Sequence, residues 1–293
     1  MLVITKKCGG LCNSLFQFGH FIAFCKHRDL RIVNLAFTDY AQYFISTDDR
    51  LFISFPPCGY KLRNRIITTN LQRVFFILGF LISHLMPRFP GIISINFDKE
   101  TPNAIKRLES ILGHHLVLAN GWYFRDPTEF KKYAVDIRMY FRPKEVYGRM
   151  AKEIHNQIRR DSDIVIGLHI RRKDYKYWEG GKYYFEDAVY VKVIQELIKQ
   201  FPGKNIKILV TSDEPIRLEN YALVSSKIIW DRREPIVDLM ALAYCDYIVG
   251  PPSTFSMWAS FYGKVPLFVI KNPGQPFDLE NASVIGCECL SGK

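Results

Sequence analysis

From residue 164 to residue 269 the chain repeats one pattern: a short apolar run, a polar break, then a segment of helical periodicity. Runs of strand length fall at 164–170, 206–211, 227–230, 246–250 and 265–269, with helical segments at 185–200, 215–223, 234–243 and 253–262 between them. Continuous rather than alternating apolar runs are what strands covered on both faces require. Strands joined through helices pair in parallel, because an antiparallel neighbour needs only a tight turn. The pattern therefore predicts an α/β fold whose second half is a regular Rossmann-like domain.

The first half is irregular. A strand is expected at 2–5, a glycine turn at Gly9 and Gly10, and a helix carrying Leu15, Phe18, Ile22 and Cys25 on one face. Further strands are expected at 31–37 and 116–119 and helices at 129–141 and 144–160, separated by Pro143, which disfavours helix at Arg142. The stretch 39–102 shows no order beyond an apolar window at 74–86. A chain of 293 residues has room for two domains of about 150 each, and the expected division is 1–150 and 151–293.

Forty basic against twenty-nine acidic side chains leave a net charge of +11, which favours an anionic partner. A nucleic-acid surface calls for basic residues among exposed aromatics, whereas the densest basic cluster, Arg171-Arg172-Lys173, stands at a strand end beside acids; no nucleic acid is expected as partner. The seven cysteines are odd in number and imply no disulfide framework, and Cys287-Glu-Cys289 lacks zinc spacing. The N-terminus has neither a long apolar core nor a small-residue cleavage site, so a cytoplasmic protein is expected. The window 74–86 falls short of the ~20 residues of a membrane span. It reads as a buried core helix; the alternative is an interfacial helix flanked by Arg73 and Arg88, which would put the protein in peripheral contact with an anionic membrane.

Three strand ends of the second half carry polar groups on one sheet edge, where open α/β sheets bind ligands. The first presents His169, Arg171, Arg172, Lys173 and Asp174; the second Asp213 and Glu214; the third Ser253, Thr254, Phe255 and Ser256. Adjacent guanidiniums there suit a phosphate-bearing substrate, though a charge run is also how a solvated loop begins. Paired acids can accept from the amide and amine of guanine, and Asp213 can equally cap a helix beginning at Pro215. The hydroxyls at 253–256 offer a phosphate site or mere caps. Gly9 and Gly10 let the backbone approach an anion at a helix start, or form a plain turn with Asn13 as the N-cap. Asp161-Ser-Asp163 precedes its strand, on the edge away from the arginines, and reads as a loop; no metal site is expected.

His169-Ile-Arg-Arg-Lys-Asp-Tyr175 resembles the His-x-Arg-Arg-x-Asp signature of the GDP-fucose transferases, in particular glycosyltransferase family 11, the alpha-1,2-fucosyltransferases. Gly9-Gly-Leu-Cys-Asn-Ser-Leu-Phe-Gln17, Asn120-Gly-Trp-Tyr-Phe124, Asp238 to Asp246 and Ser253 to Trp258 are similar to that family in its order, with departures at Cys12, Ser14 and Pro251-Pro252. The resemblance implies a GT-B architecture: two Rossmann-like domains facing a cleft, the first on the acceptor side and the second binding GDP-fucose. It implies inverting transfer of L-fucose without a metal or other cofactor, to a glycan acceptor at O-2 of a galactoside; another linkage (alpha-1,3 or alpha-1,6) or a non-catalytic GDP-sugar-binding module is the alternative. Arg171 would hold the β-phosphate, with Arg172 also on the donor, His169 and the Asp213–Glu214 pair near guanine, and Ser253, Thr254, Phe255 and Ser256 completing the phosphate site. A carboxylate must take the acceptor proton. Glu179 and Asp174 are the candidates, Glu179 preferred by analogy with alpha-1,6 transferases, Asp174 serving equally as an arginine's salt-bridge partner.

Overall fold

A computed structural model of the protein describes residues 1–59, 62, 64–85, 88–97, 103–113, 115–229 and 233–286. The chain forms two compact units, Met1–Lys144 and Glu145–Lys293. The division falls just after Pro143, at the start of the helix Glu145–Arg160, which the expected 150/151 boundary would have cut.

The first unit contains β1 (Leu2–Ile4), α1 (Leu11–His27), β2 (Ile32–Asn34), β3 (Ser54–Phe55), α2 (Arg65–Leu85), β4 (Arg88–Phe89), β5 (Ile92–Asn96), α3 (Ala104–Leu112), β6 (Leu116–Asn120), α4 (Pro127–Lys132) and α5 (Ala134–Tyr140). Its six strands run in the order β3-β2-β1-β6-β5-β4, parallel in the middle and antiparallel at both edges. Helix α1 is apolar on nearly every side and is the core of the unit. Phe16, Phe18, Phe21 and Phe24 are fully buried, and Phe21 stacks on Phe124 at 4.2 Å. The single helix expected over 129–141 is two, broken at Tyr133.

The second unit contains α6 (Glu145–Arg160), β7 (Ile164–Ile170), α7 (Asp187–Lys199), β8 (Ile206–Ser212), β9 (Ile228–Ile229), α8 (Pro235–Leu242), β10 (Tyr247–Gly250), α9 (Thr254–Gly263), β11 (Pro266–Val269) and β12 (Ser283–Val284). The order β12-β11-β10-β7-β8-β9 is, counted within the unit, the 3-2-1-4-5-6 order of dinucleotide-binding sheets. All neighbours are parallel except β11 and β12. The order reverses between β7 and β10, and the crevice beyond their carboxyl ends is where such a sheet takes a ligand.

Three expectations need correction. The segment 215–223 is not an α-helix; a 3-10 stretch, Leu218–Lys227, takes its place, bent at Tyr221, whose buried hydroxyl is held by Asp187. Asp213 therefore caps nothing. Asn13 is not an N-cap either: Gly10 holds that position and Asn13 lies within α1. The apolar window belongs to α2, which starts at Arg65 and runs 21 residues, long and apolar enough by composition to cross a membrane. It is no core helix. Only Thr68, Gln72, Gly79 and Ser83 are buried, and its large aliphatic side chains face solvent. The sequence window missed the helix's length because Thr68, Thr69, Asn70, Gln72 and Arg73 dilute its first half. Among the described cysteines none is in a disulfide; Cys287 and Cys289 lie outside the described residues.

Candidate functional site

Strand β7 is buried from Val165 to Ile170, so the chain emerges directly from the core into the switch-point crevice. His169, the last side chain but one, is 3% exposed. Its Nδ1 lies 3.2 Å from Thr211 Oγ1 on β8, and its ring stacks on Phe255 of α9 at 5.0 Å. Burial, then the nearby charge of Arg171, push its pKa down to about 3, against a weaker opposing hydrogen bond to Thr211, so the imidazole is neutral. Its Nε2 is buried and has no partner among the described residues. Gly250 at the end of β10 makes the close approach possible, because a Cβ there would stand 2.7 Å from the His169 carbonyl oxygen.

The adjacent arginines have opposite environments. Arg171 keeps a third of its side chain exposed, with Nη2 2.6 Å from Asp174 Oδ1 and Nη1 3.2 Å from Asp213 Oδ2. Arg172 is buried. Its Nε donates to the Phe185 carbonyl (3.1 Å), Nη1 to Glu214 (3.3 Å) and Nη2 to Asp187, while its backbone N–H donates to Asp213 Oδ1 (3.0 Å). Burial alone would lower its pKa, but the hydrogen bond and charge of Asp187 outweigh it and hold the guanidinium above its ordinary value. The Asp213–Glu214 pair thus braces the two arginines, and any guanine contact has to form beside these ion pairs.

The third strand end is tied to the first. Tyr175, buried, donates its hydroxyl to the Pro252 carbonyl, and burial raises that hydroxyl to about 12, so it stays protonated. Ser253 is the N-cap of α9, accepting from Phe255 N at 3.3 Å, and Ser256 Oγ donates to the Ser253 carbonyl at 3.1 Å. Ser253 and Ser256 are buried, while Thr254 and Phe255 are partly exposed. The cap role is therefore filled, and the amides of the first turn of α9 face the switch-point side.

Of the two carboxylates weighed as base, Asp174 is exposed and ion-paired to Arg171. Glu179 is also exposed, sits at φ +49°, and makes no side-chain hydrogen bond or ion pair among the described residues. A non-glycine residue in that conformation is uncommon and clusters at functional loops.

The opening loop belongs to the first unit. Gly9 has φ +59°, and Gln17 of α1 donates to the Gly121 carbonyl at 2.7 Å, joining the loop to the aromatic segment after β6. Arg125 stacks over Trp122 at 3.9 Å and donates to the Phe124 carbonyl at 2.7 Å. Its Nε and Nη2 are buried without a partner among the described residues, and burial lowers its pKa to about 10. Sequence reasoning singled out the aromatic neighbours but not Arg125, nor Asp187, Tyr190 and Tyr221, which surround Arg172. An Asp at the first turn of a helix reads only as a favourable dipole partner.

No protein-family model and no curated protein matches the chain by sequence. Solved structures do match. A mutant of Arabidopsis thaliana FUT1 in complex with GDP superposes with a TM-score of 0.59 at 13% identity, over 96% of this chain and 73% of that one. The fucosyltransferase NodZ from Bradyrhizobium gives 0.56 at 14% identity, over 94% and 96%. POFUT1 in complex with GDP gives 0.52 at 13% identity, over 92% and 98%. The fold is that of fucosyltransferase structures. A NodZ alpha-1,6-fucosyltransferase soaked with GDP-fucose also matches, at 0.53 and 14% identity, over 96% of each chain.

Proposed function

We propose that this protein transfers L-fucose from GDP-fucose to a sugar hydroxyl, with inversion and without a metal at the diphosphate, and that the acceptor position is O-2 of a galactoside. The observation that carries the reading is Arg171: a partly exposed guanidinium, oriented by Asp174 and Asp213, at the switch point of a sheet in the dinucleotide-binding order. Breaking the fucose–phosphate bond leaves negative charge on GDP, and a donor fork already fixed by two carboxylates stabilises that charge without reorganising. The first amides of α9 add a second set of donors for the same phosphates. His169, being neutral, contributes a hydrogen bond through Nε2 rather than a charge.

The acceptor hydroxyl must lose its proton as the new bond forms. Asp174 is already ion-paired to Arg171, so protonating it would loosen the group that meets the leaving phosphate. Glu179 carries no such duty, which favours it as the base. Phe255 and Thr254, partly exposed, fit the phosphate side of the donor with Ser256 buried behind them, and the Gly9, Gly10 and Asn13 loop of the first unit fits the acceptor side in the resemblance to the alpha-1,2-fucosyltransferases.

Calorimetry with GDP in the presence of a chelator tests the donor assignment, and linkage analysis of products from a panel of galactosides tests the transfer. GDP should bind in chelator and bind better than UDP, with fucose appearing at O-2. A strict need for magnesium or manganese, or equal affinity for UDP, overturns the donor reading. GDP-fucose binding without transfer would make the protein a GDP-sugar-binding module, and fucose at another hydroxyl would correct the linkage alone.

A further inference from the structure

Helix α2 is amphipathic in the inverted sense. The side that packs on the first unit is small or polar: Gln72 Nε2 donates to the Arg50 carbonyl at 2.7 Å, and a Cβ on Gly79 would come within 2.8 Å of Leu35 Cδ1 and 3.2 Å of Thr5 Cγ2, so the helix lies close against the end of β1. Phe75 packs on Phe52 at 4.9 Å, and Lys7 reaches over Phe76 at 5.4 Å. These contacts fix the rotation of the helix about its axis. The opposite side is apolar and open: Ile67, Leu71, Val74, Leu78, Leu81 and Leu85 recur at alternating spacings of four and three and are 37–74% exposed. With Ile66, Ile77 and Ile82 beside them the stripe subtends about 160° at 3.6 residues per turn.

Charge selects what covers this stripe. From residue 50 to residue 97 the chain holds six basic side chains (Arg50, Lys61, Arg63, Arg65, Arg73 and Arg88) and no Asp or Glu. More than half of the net charge of +11 thus lies in the sixth of the chain that contains α2. A second copy docking helix to helix would bring Arg73, at the edge of the stripe near the middle of the helix, against its own like, with no acidic residue on the helix to pair it, and a two-stranded seam is narrower than this stripe. A lipid surface has no such penalty. Its acyl boundary takes the full width of the stripe, and anionic headgroups meet the guanidinium of Arg73 at the edge of the stripe.

We propose that α2 is a membrane-interface helix, lying flat on an anionic bilayer with its apolar stripe in the acyl boundary and its polar side still seated on the first unit. The helix is about 30 Å long at 1.5 Å per residue, enough to span, but spanning would require Gln72, Ser83 and the Gly79 contact to leave their places on the protein.

Flotation of the full chain with phosphatidylcholine vesicles and with mixed phosphatidylcholine–phosphatidylglycerol vesicles tests this. The protein should float with the mixed vesicles, less with the neutral ones, and be released by a high-pH carbonate wash. The double variant Leu71→Glu, Leu78→Glu changes only exposed positions; it should keep the wild-type unfolding midpoint and lose vesicle binding roughly tenfold or more. Arg73→Glu should weaken binding to the mixed vesicles several-fold and leave the neutral ones unaffected. Undiminished flotation of the double variant, or wild-type protein that stays in the aqueous layer, overturns the proposal. So does resistance to carbonate, which would mean a spanning helix, and so does a dimer in sedimentation that the double variant dissociates while the wild type ignores vesicles.

Discussion

Arg172→Lys is expected to weaken folding of the second unit while sparing turnover, and Arg171→Lys to do the reverse. The Arg172 side chain is 8% exposed and donates from three separate nitrogens, to the Phe185 carbonyl, Glu214 and Asp187. A lysine has one nitrogen and cannot serve three acceptors spread around a planar fork, so at least one of these bonds is lost and a largely buried acceptor left behind. Hydrogen bonds to charged groups are worth about 1.5–3 kcal/mol each, which puts the loss near 3 kcal/mol. Arg171 sits one-third exposed in two ion pairs, and pairs of that exposure contribute at most about 1 kcal/mol to stability. Its loss should instead appear in kcat, by about 10²–10³-fold, the scale for one donor aimed at a developing anion. Urea unfolding followed by tryptophan fluorescence suits the purpose, because Trp178, Trp230 and Trp258 belong to the second unit and only Trp122 to the first. An unchanged unfolding midpoint in Arg172→Lys, or normal kcat in Arg171→Lys, would refute the division of labour drawn from their burial.

Glu179→Gln should depress transfer while leaving GDP-fucose affinity nearly intact, whereas Asp174→Asn, which loosens Arg171, should weaken both; calorimetry and kcat on each variant decide, and collapse of kcat in Asp174→Asn alone at normal affinity would exchange their roles. His169 is held neutral, its pKa lowered to about 3 against an ordinary 6.5, so the unfolded chain takes up a proton between those values that the native protein does not. Its contribution is therefore complete above pH 6.5 and lost as pH falls toward 3, and His169→Gln should reduce the slope of stability against pH in that window by about one proton, measured by urea unfolding at each pH. Gly250→Ala places a methyl 2.7 Å from the His169 carbonyl oxygen, which must part β10 from β7; about 1–3 kcal/mol of stability should go, and GDP affinity with it.

The parallel strands of the second unit were legible because each is short, apolar and followed by its own polar break; the antiparallel β12, two exposed residues, was not. The polar break after the run 164–170 marked the edge of the sheet where a ligand binds, while the switch point waited on the strand order. The ion-pair web was not legible: Asp213 lies forty-one residues after Arg172 and is brought to it by the parallel pairing of β7 with β8, and Asp187, fifteen residues on, reaches it from the first turn of α7. Nor did the sequence distinguish Arg171 from Arg172, since alternate side chains leave a strand on opposite faces and one must see which face is covered. In the first unit, β3 and β4 are two residues long and leave no period to read, and α2 misled because hydrophobicity alone does not say which side of a helix is turned inward.

The strand order sets a timetable for assembly. In each unit the strand made first becomes central, and one of its two neighbours is made late: Leu2 of β1 pairs with Val117 of β6, and Ile166 of β7 with Tyr247 of β10. Until β6 emerges from the ribosome, one edge of β1 stands open as a template for any extended chain nearby. Closing so long a loop adds little to its entropic cost but delays the pairing. The first sheet, however, draws no strand from beyond Lys144 among the described residues, so it can be finished before β7 exists. Synthesis and assembly therefore run in the same order from one unit to the next, and in conflict within each.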